Sequence, residues 1–157
     1  MSDLEENAFA APQAELSNNT VKEKPILQFE RISAWFVFFI GMFTFGIYNV
    51  YWLYSRSLVA NNLVKENKIN ITLVYSYISL FIISLVSTFT GLETLSMITQ
   101  LINFIVYILL VFSMRRVFIE IINTGSENYT HLSGILTFLF SSIYFQYKIN
   151  EAIDSQK

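Results

Sequence analysis

The chain has 157 residues, of which 54% are hydrophobic and only 14% charged, with a formal net charge of −2 and a mean hydropathy of +0.47. Soluble domains average about 45–50% apolar and about 25% charged residues, so this composition points toward lipid, and the length allows a single domain. There is no cysteine and a single histidine, His131, which excludes disulfides, thiolate metal sites, a cysteine nucleophile and an all-histidine metal centre.

The first sixteen residues, "MSDLEENAFAAPQAEL", carry Asp3, Glu5, Glu6 and Glu15 and no basic residue. A secretory signal begins with positive charge and continues into an apolar core, so none is expected here. Residues 1–30 read as an acidic, disordered cytoplasmic tail. Within it Phe9, Pro12 and Leu16 are candidates for binding a protein partner, the alternative being a solubilising tail with no target. A helical membrane domain is expected over 31–152 and a short polar end over 153–157.

Four apolar blocks follow, at about 32–54, 71–90, 95–114 and 132–147. A membrane-spanning helix needs roughly 20 apolar residues, and the two central blocks meet that length. "TGLET" at 90–94 joins them by a turn short enough to force an antiparallel pair. Ser84, Ser87, Thr88 and Gly91 present a small face on which the third block can pack. Beyond Arg115 and Arg116, "VFIEIIN" continues at helical spacing to Asn123, and Glu120 is placed to pair with Arg116.

The outer blocks resemble one another. "GMFTFGIYNVYWLY" (41–54) aligns without gaps on "GILTFLFSSIYFQY" (134–147), matching Gly41 to Gly134, Thr44 to Thr137, Phe45 to Phe138, Tyr51 to Tyr144 and Tyr54 to Tyr147. Each copy holds a helix-weakening spot, Thr44–Phe45–Gly46 in one and Ser141–Ser142 in the other. Half of such a block spans roughly 15 Å of helix, about half the hydrocarbon thickness, and so can dip in and return. The alternative is a kinked span. If both outer blocks return, all ten basic residues fall on one side, and if all four blocks cross they split evenly. Positive charge accumulates on cytoplasmic loops, which favours the returning arrangement with both termini cytoplasmic. Tyr48, Tyr51, Trp52 and Tyr54 then mark the return to the interface, with Arg56 just beyond. The expected fold is an all-α integral membrane protein. Two central antiparallel transmembrane helices are flanked by two apolar re-entrant or interfacial helical segments, the alternative being four transmembrane helices.

"FTFGIYNVYWLYSRSLVANN", followed much later by "IYFQYKINE", resembles a bacterial family of small integral membrane proteins, domain-of-unknown-function family 4234, over about residues 32–151. The resemblance implies a multi-helix protein of the bacterial inner membrane and supplies neither an activity nor catalytic residues. "ENAFAAPQAEL" is similar to an Asn-Pro-Tyr-Ala-Ala-Pro type of tail found at the front of various bacterial membrane proteins, with Ala8 and Phe9 departing from it.

Polar residues inside apolar blocks are the usual pointers to function. Gln100, Asn103 and Tyr107 form one polar stripe on the third block, either a solute path or hydrogen-bonding partners for the serines of the second. Asn49 and Arg56, with Gln146, Lys148 and Asn150, are expected to gather at the cytoplasmic surface, either as a binding site for lipid headgroups or a partner, or as solvated helix ends. His131 lies beside Thr130 and Ser133 without a placed acid, so no nucleophile is assigned. No phosphate loop, metal-ligand spacing or basic patch for nucleic acid is present, and neither an enzyme nor a cofactor is expected. The expected function is an interaction or regulatory component of the inner membrane, in contact with the bilayer, with a protein partner through the tail, and as a homo-oligomer. The alternative is a subunit of an oligomeric channel or transporter.

Overall fold

A computed structural model describes residues 24–156. Their regular structure is entirely helical: a 3-10 turn Pro25–Gln28, then α1 Ala34–Phe43, α2 Ile47–Leu63, α3 Ile71–Phe89, α4 Glu93–Asn123 and α5 Gly134–Gln156. The candidate tail residues Phe9, Pro12 and Leu16 lie outside the described residues.

The central pair forms as its composition requires. Both α3 and α4 are long and apolar enough to cross a membrane, and only 22% of the residues in each apolar window are buried. The core helix of a soluble protein hides most of such a window. Here Ile82, Val86 and Phe89 of α3 and Met97, Ile98, Leu101 and Ile105 of α4 face outward, a surface suited to lipid. Asn70 opens α3 by accepting the Thr72 N–H at 2.9 Å. The helix ends where Gly91 takes φ 73° and the Leu92 N–H returns to the Ser87 carbonyl at 3.0 Å. Ser84, Ser87, Ser96 and Thr99 are buried between the two helices, and the Thr88 and Ser96 hydroxyls meet at 2.8 Å. The small face of α3 is thus the packing face for α4.

Past its apolar window α4 becomes part of a core that lies at one end of the molecule. Met114, Val117, Phe118, Ile121 and Ile122 are buried there. Phe118 sits edge-on to Phe29 at 5.7 Å and to Phe145 at 5.0 Å between ring centroids. Glu120 does not pair with Arg116 as its spacing suggests. Its carboxylate accepts from the Asn67 amide at 3.0 Å, because the loop between α2 and α3 lies over this face. Packed structure also begins before residue 31. "PILQF" turns once and places Ile26 and Phe29 in the core. At the other end α5 continues to Gln156, whose amide donates to the Ile122 carbonyl at 2.9 Å and whose own carbonyl accepts from Lys24 Nζ at 2.9 Å.

Both outer blocks are broken, by different devices. Between α1 and α2, Phe45 and Gly46 adopt φ 50° and 85°. Every backbone N–H from Thr44 to Tyr48 still finds an acceptor. Thr44 donates to Ile40 O, Phe45 to Met42 O, Gly46 to Gly41 O at 2.8 Å and Ile47 to Thr44 O, and the Tyr48 N–H reaches the Thr44 hydroxyl at 3.0 Å. That hydroxyl donates in turn to Ile40 O at 2.7 Å, so one side chain serves the end of α1 and the start of α2. Unpaired backbone groups in an apolar layer cost several kcal/mol each, roughly, and this break leaves none of those donors unpaired. In α5 the helix is interrupted at Ser141, with φ 26° and ψ −100°.

The ends of these blocks lie close to the core. Ile32, at the start of the first, accepts from the Asn150 amide at 2.7 Å, and Arg31 pairs with Asp154 at 2.8 Å. Leu132, at the start of the last, accepts two bonds from Arg115 at 2.9 and 2.6 Å.

Candidate functional site

Helix α2 turns its 50, 53, 57, 60 face into the core, which directs Asn49 sideways toward α5. There the Ser142 hydroxyl donates to Asn49 Oδ1 at 3.3 Å. Gly41 of α1 comes so close that a Cβ on it would stand 2.7 Å from the Asn49 amide atoms. Asn49 is therefore clamped where the two helix breaks meet.

A cleft of about 420 Å³ opens beside this clamp. Gly46 and Asn49 line it from the first break, Ser141 and Ser142 from the second, Ser84 from α3, and Gln100, Asn103 and Tyr107 from α4. The Tyr107 hydroxyl donates to the Ser141 hydroxyl, fixing the second break against α4. The Gln100 amide donates to Ser96 of its own helix at 2.9 Å. Asn103 Oδ1 is buried and has no donor among the described residues. The stripe anticipated from sequence, Gln100, Asn103 and Tyr107, thus faces one space. It does not bond the serines of α3; among the described residues the one hydroxyl contact between α3 and α4 runs from Thr88 to Ser96. Gln100 lies about 10 Å along α4 from its start at Glu93 and Tyr107 about 12 Å from Arg115, so the stripe spans the middle of the apolar stretch. Gln100 and Phe104 are exposed at its mouth, so the cleft opens sideways between apolar surfaces. A second, mainly apolar cavity of about 410 Å³ lies across the clamp, between the tips of α1 and the first half of α5.

The group expected at the cytoplasmic surface is not one cluster. Asn49 belongs to the cleft. Gln146 is fully buried, accepts from the Trp52 indole at 3.0 Å and donates to Asn150 Oδ1 at 2.9 Å and Glu30 O at 3.4 Å. Asn150 holds Ile32, so this pair ties the segment before α1 to α5. Lys148 turns away and pairs with Glu151 at 2.6 Å, and that bond raises its pKa. Arg56 is 5% exposed, and burial pushes its pKa down from the ordinary arginine value while Glu30 opposes the shift. Part of this burial comes from Trp52, one turn earlier on α2, and part from Phe29, which lies before α1 and gives no local signal in the sequence. No group of three or more acidic or histidine side chains able to hold a metal occurs among the described residues.

No family model, curated protein or solved structure matches this chain. What the site does is therefore argued from its own chemistry. It holds amide and hydroxyl groups and no ionisable group other than the two tyrosines, Tyr77 and Tyr107. Such a lining can exchange hydrogen bonds with an uncharged polar group and offers neither an acid–base pair nor a nucleophile with a base.

Proposed function

We propose that the protein is a small integral membrane protein of the bacterial inner membrane, of the kind that family 4234 represents, and an interaction or regulatory component there. In this reading α3 and α4 cross the bilayer and both broken blocks are re-entrant, with both termini cytoplasmic. The support is the vertical order along α4: Leu132 lies at the level of Arg115, Ser141 beside Tyr107 about 12 Å deeper, and Gln156 back at Ile122. The observation that carries the interaction reading is the sideways-opening cleft with its donorless Asn103 oxygen. In lipid, polar groups such as Gln100 and Asn103 are stabilised by a hydrogen-bonding partner on another helix, worth about 0.6–2 kcal/mol. The cleft would receive a polar side chain from a neighbouring membrane helix.

A photo-crosslinking residue at Phe104, at the mouth, tests this in intact cells. A discrete protein adduct that disappears in the double variant Gln100→Leu/Asn103→Leu is expected. An adduct indifferent to that substitution, or none, would count decisively against it.

The second reading, a channel or transporter subunit, has its own support in the meeting of two broken helices at mid-layer, an arrangement found around transport sites. Solute release from proteoliposomes separates the two. Flux abolished by the same double substitution would establish transport, and unaltered flux would reject it.

A further inference from the structure

Arg56 carries a feature that packing does not explain. Its side chain is only 6% exposed, its Nε has no acceptor among the described residues, and the Glu30 carboxylate stands 4.0 Å from its terminal nitrogen. The guanidinium also lies over the Phe29 ring, 5.9 Å from the centroid. Burying a guanidinium is costly unless its donors are satisfied, and an arginine fork matches the paired oxygens of a phosphate. The Glu30 side chain is 81% exposed, so this carboxylate does not enclose the charge.

A cavity of about 280 Å³ opens at the same place, with Gln28, Tyr48, Tyr51 and Ser55 adding polar atoms to its wall. Its height in the molecule is informative. Glu30 and Ile32 lie where α1 is about to enter the exposed apolar surface that begins at Trp35, and the tyrosines stand on the side toward that surface. In the membrane placement proposed above, on which this step rests, that is the headgroup zone of a bilayer, where aromatic rings settle and phosphates lie.

We infer that the pocket around Arg56 binds a phosphate group, with the guanidinium as its fork and the Tyr51 hydroxyl as an additional donor. Glu30 is the resident competitor, displaced toward solvent when the anion enters. This site is separate from the mid-layer cleft and stands or falls independently of it.

The test uses the full chain purified in an uncharged detergent and two probes, dihexanoyl phosphatidylglycerol and inorganic phosphate, with dihexanoyl phosphatidylcholine for comparison. Binding is followed by calorimetry and by the fluorescence of the pocket residue Trp52 in a Trp35→Phe background. Saturable binding of at least one of the first two is expected. Arg56→Gln should weaken it about tenfold or more, the usual scale for a lost charge-assisted bond. Glu30→Gln, at an exposed position that leaves the fold intact, should tighten it. Phosphatidylglycerol binding that inorganic phosphate fails to displace identifies a lipid headgroup, and displacement by phosphate identifies the free anion. Absence of binding by both probes, equal affinity in Arg56→Gln, or weaker binding in Glu30→Gln would each overturn the inference.

Discussion

Gln146 shows how a single buried amide can join three parts of a chain. It is enclosed completely, and its carbonyl is the acceptor for the Trp52 indole while its amide reaches Asn150 and the Glu30 carbonyl. Gln146→Leu leaves the buried Trp52 N–H without a partner, and that desolvated donor costs about 1–3 kcal/mol. The double variant Trp52→Phe/Gln146→Leu removes both partners and should recover part of the loss, since the stranded donor is gone as well. Thermal melting in mild detergent reads the difference, and fully additive losses would show that the indole bond does not couple the two residues. In the sequence Gln146 follows an apolar block and precedes Lys148, which suggests the cytoplasmic surface, as part of a binding site or as a solvated helix end. Its partner lies 94 residues away, and only the fold brings them together. The burial of Arg56 against Phe29 is likewise invisible in the sequence. The stripe on α4 was legible because Gln100, Asn103 and Tyr107 share one helix, where spacing alone sets the face.

At the scale of elements, both weak spots are legible in the sequence, as Thr44–Phe45–Gly46 and Ser141–Ser142, and the backbone breaks at Phe45–Gly46 and at Ser141. Gly46 aligns with Leu139, so the second copy lacks the residue that most readily takes φ 85°, and its break arrives one turn after Thr137, at Ser141. The ungapped alignment nevertheless places Asn49 opposite Ser142, the two residues that touch at 3.3 Å. Contact between equivalent positions is what a local two-fold relation between hairpins produces. The first hairpin depends on Gly41 because Asn49 occupies the space a side chain would need. Gly41→Ala should destabilise the domain by about 1–3 kcal/mol through overpacking. Adding Asn49→Ala vacates that space and should restore part of the stability in the same melting assay. If the second substitution only adds to the damage, the close approach of α1 to Asn49 is not what requires glycine.

For the molecule as a whole, two halves follow different rules. The end holding Ile26, Phe29, Trp52, Phe118, Phe145 and Ile149 is packed like a soluble protein, while the other end exposes its apolar side chains from Trp35 to Phe45 and from Ile82 to Ile105. Lys24, Arg31, Arg56, Arg115 and Lys148 all belong to the packed end, and the turn at Gly91 carries no basic residue. A protein that crosses the bilayer only with α3 and α4 keeps every one of these charges on the cytoplasmic side. The absence of native cysteine makes this measurable without background. Single cysteines at Asn67, Glu93 and Glu127, treated in whole cells with a membrane-impermeant thiol reagent, should label only at position 93, with 67 and 127 reacting after permeabilisation. Labelling at 67 and 127 with 93 protected would mean four crossings. The salt-linked ends near Arg31 and Asp154 would then lie on the side opposite Asn67. The 3.0 Å bond from Asn67 to Glu120 would still join the α2–α3 loop to the last turns of α4 on a common side, so that contact fits either topology. The contacts that differ are Asn150 to Ile32 and Arg115 to Leu132 within one packed end, because four crossings would set the members of the first pair a full bilayer away from those of the second. Phe118 and Phe145, 5.0 Å apart between ring centroids, belong to the buried core between the two pairs, so a labelling pattern of four crossings would also require these rings to part across about 30 Å of hydrocarbon.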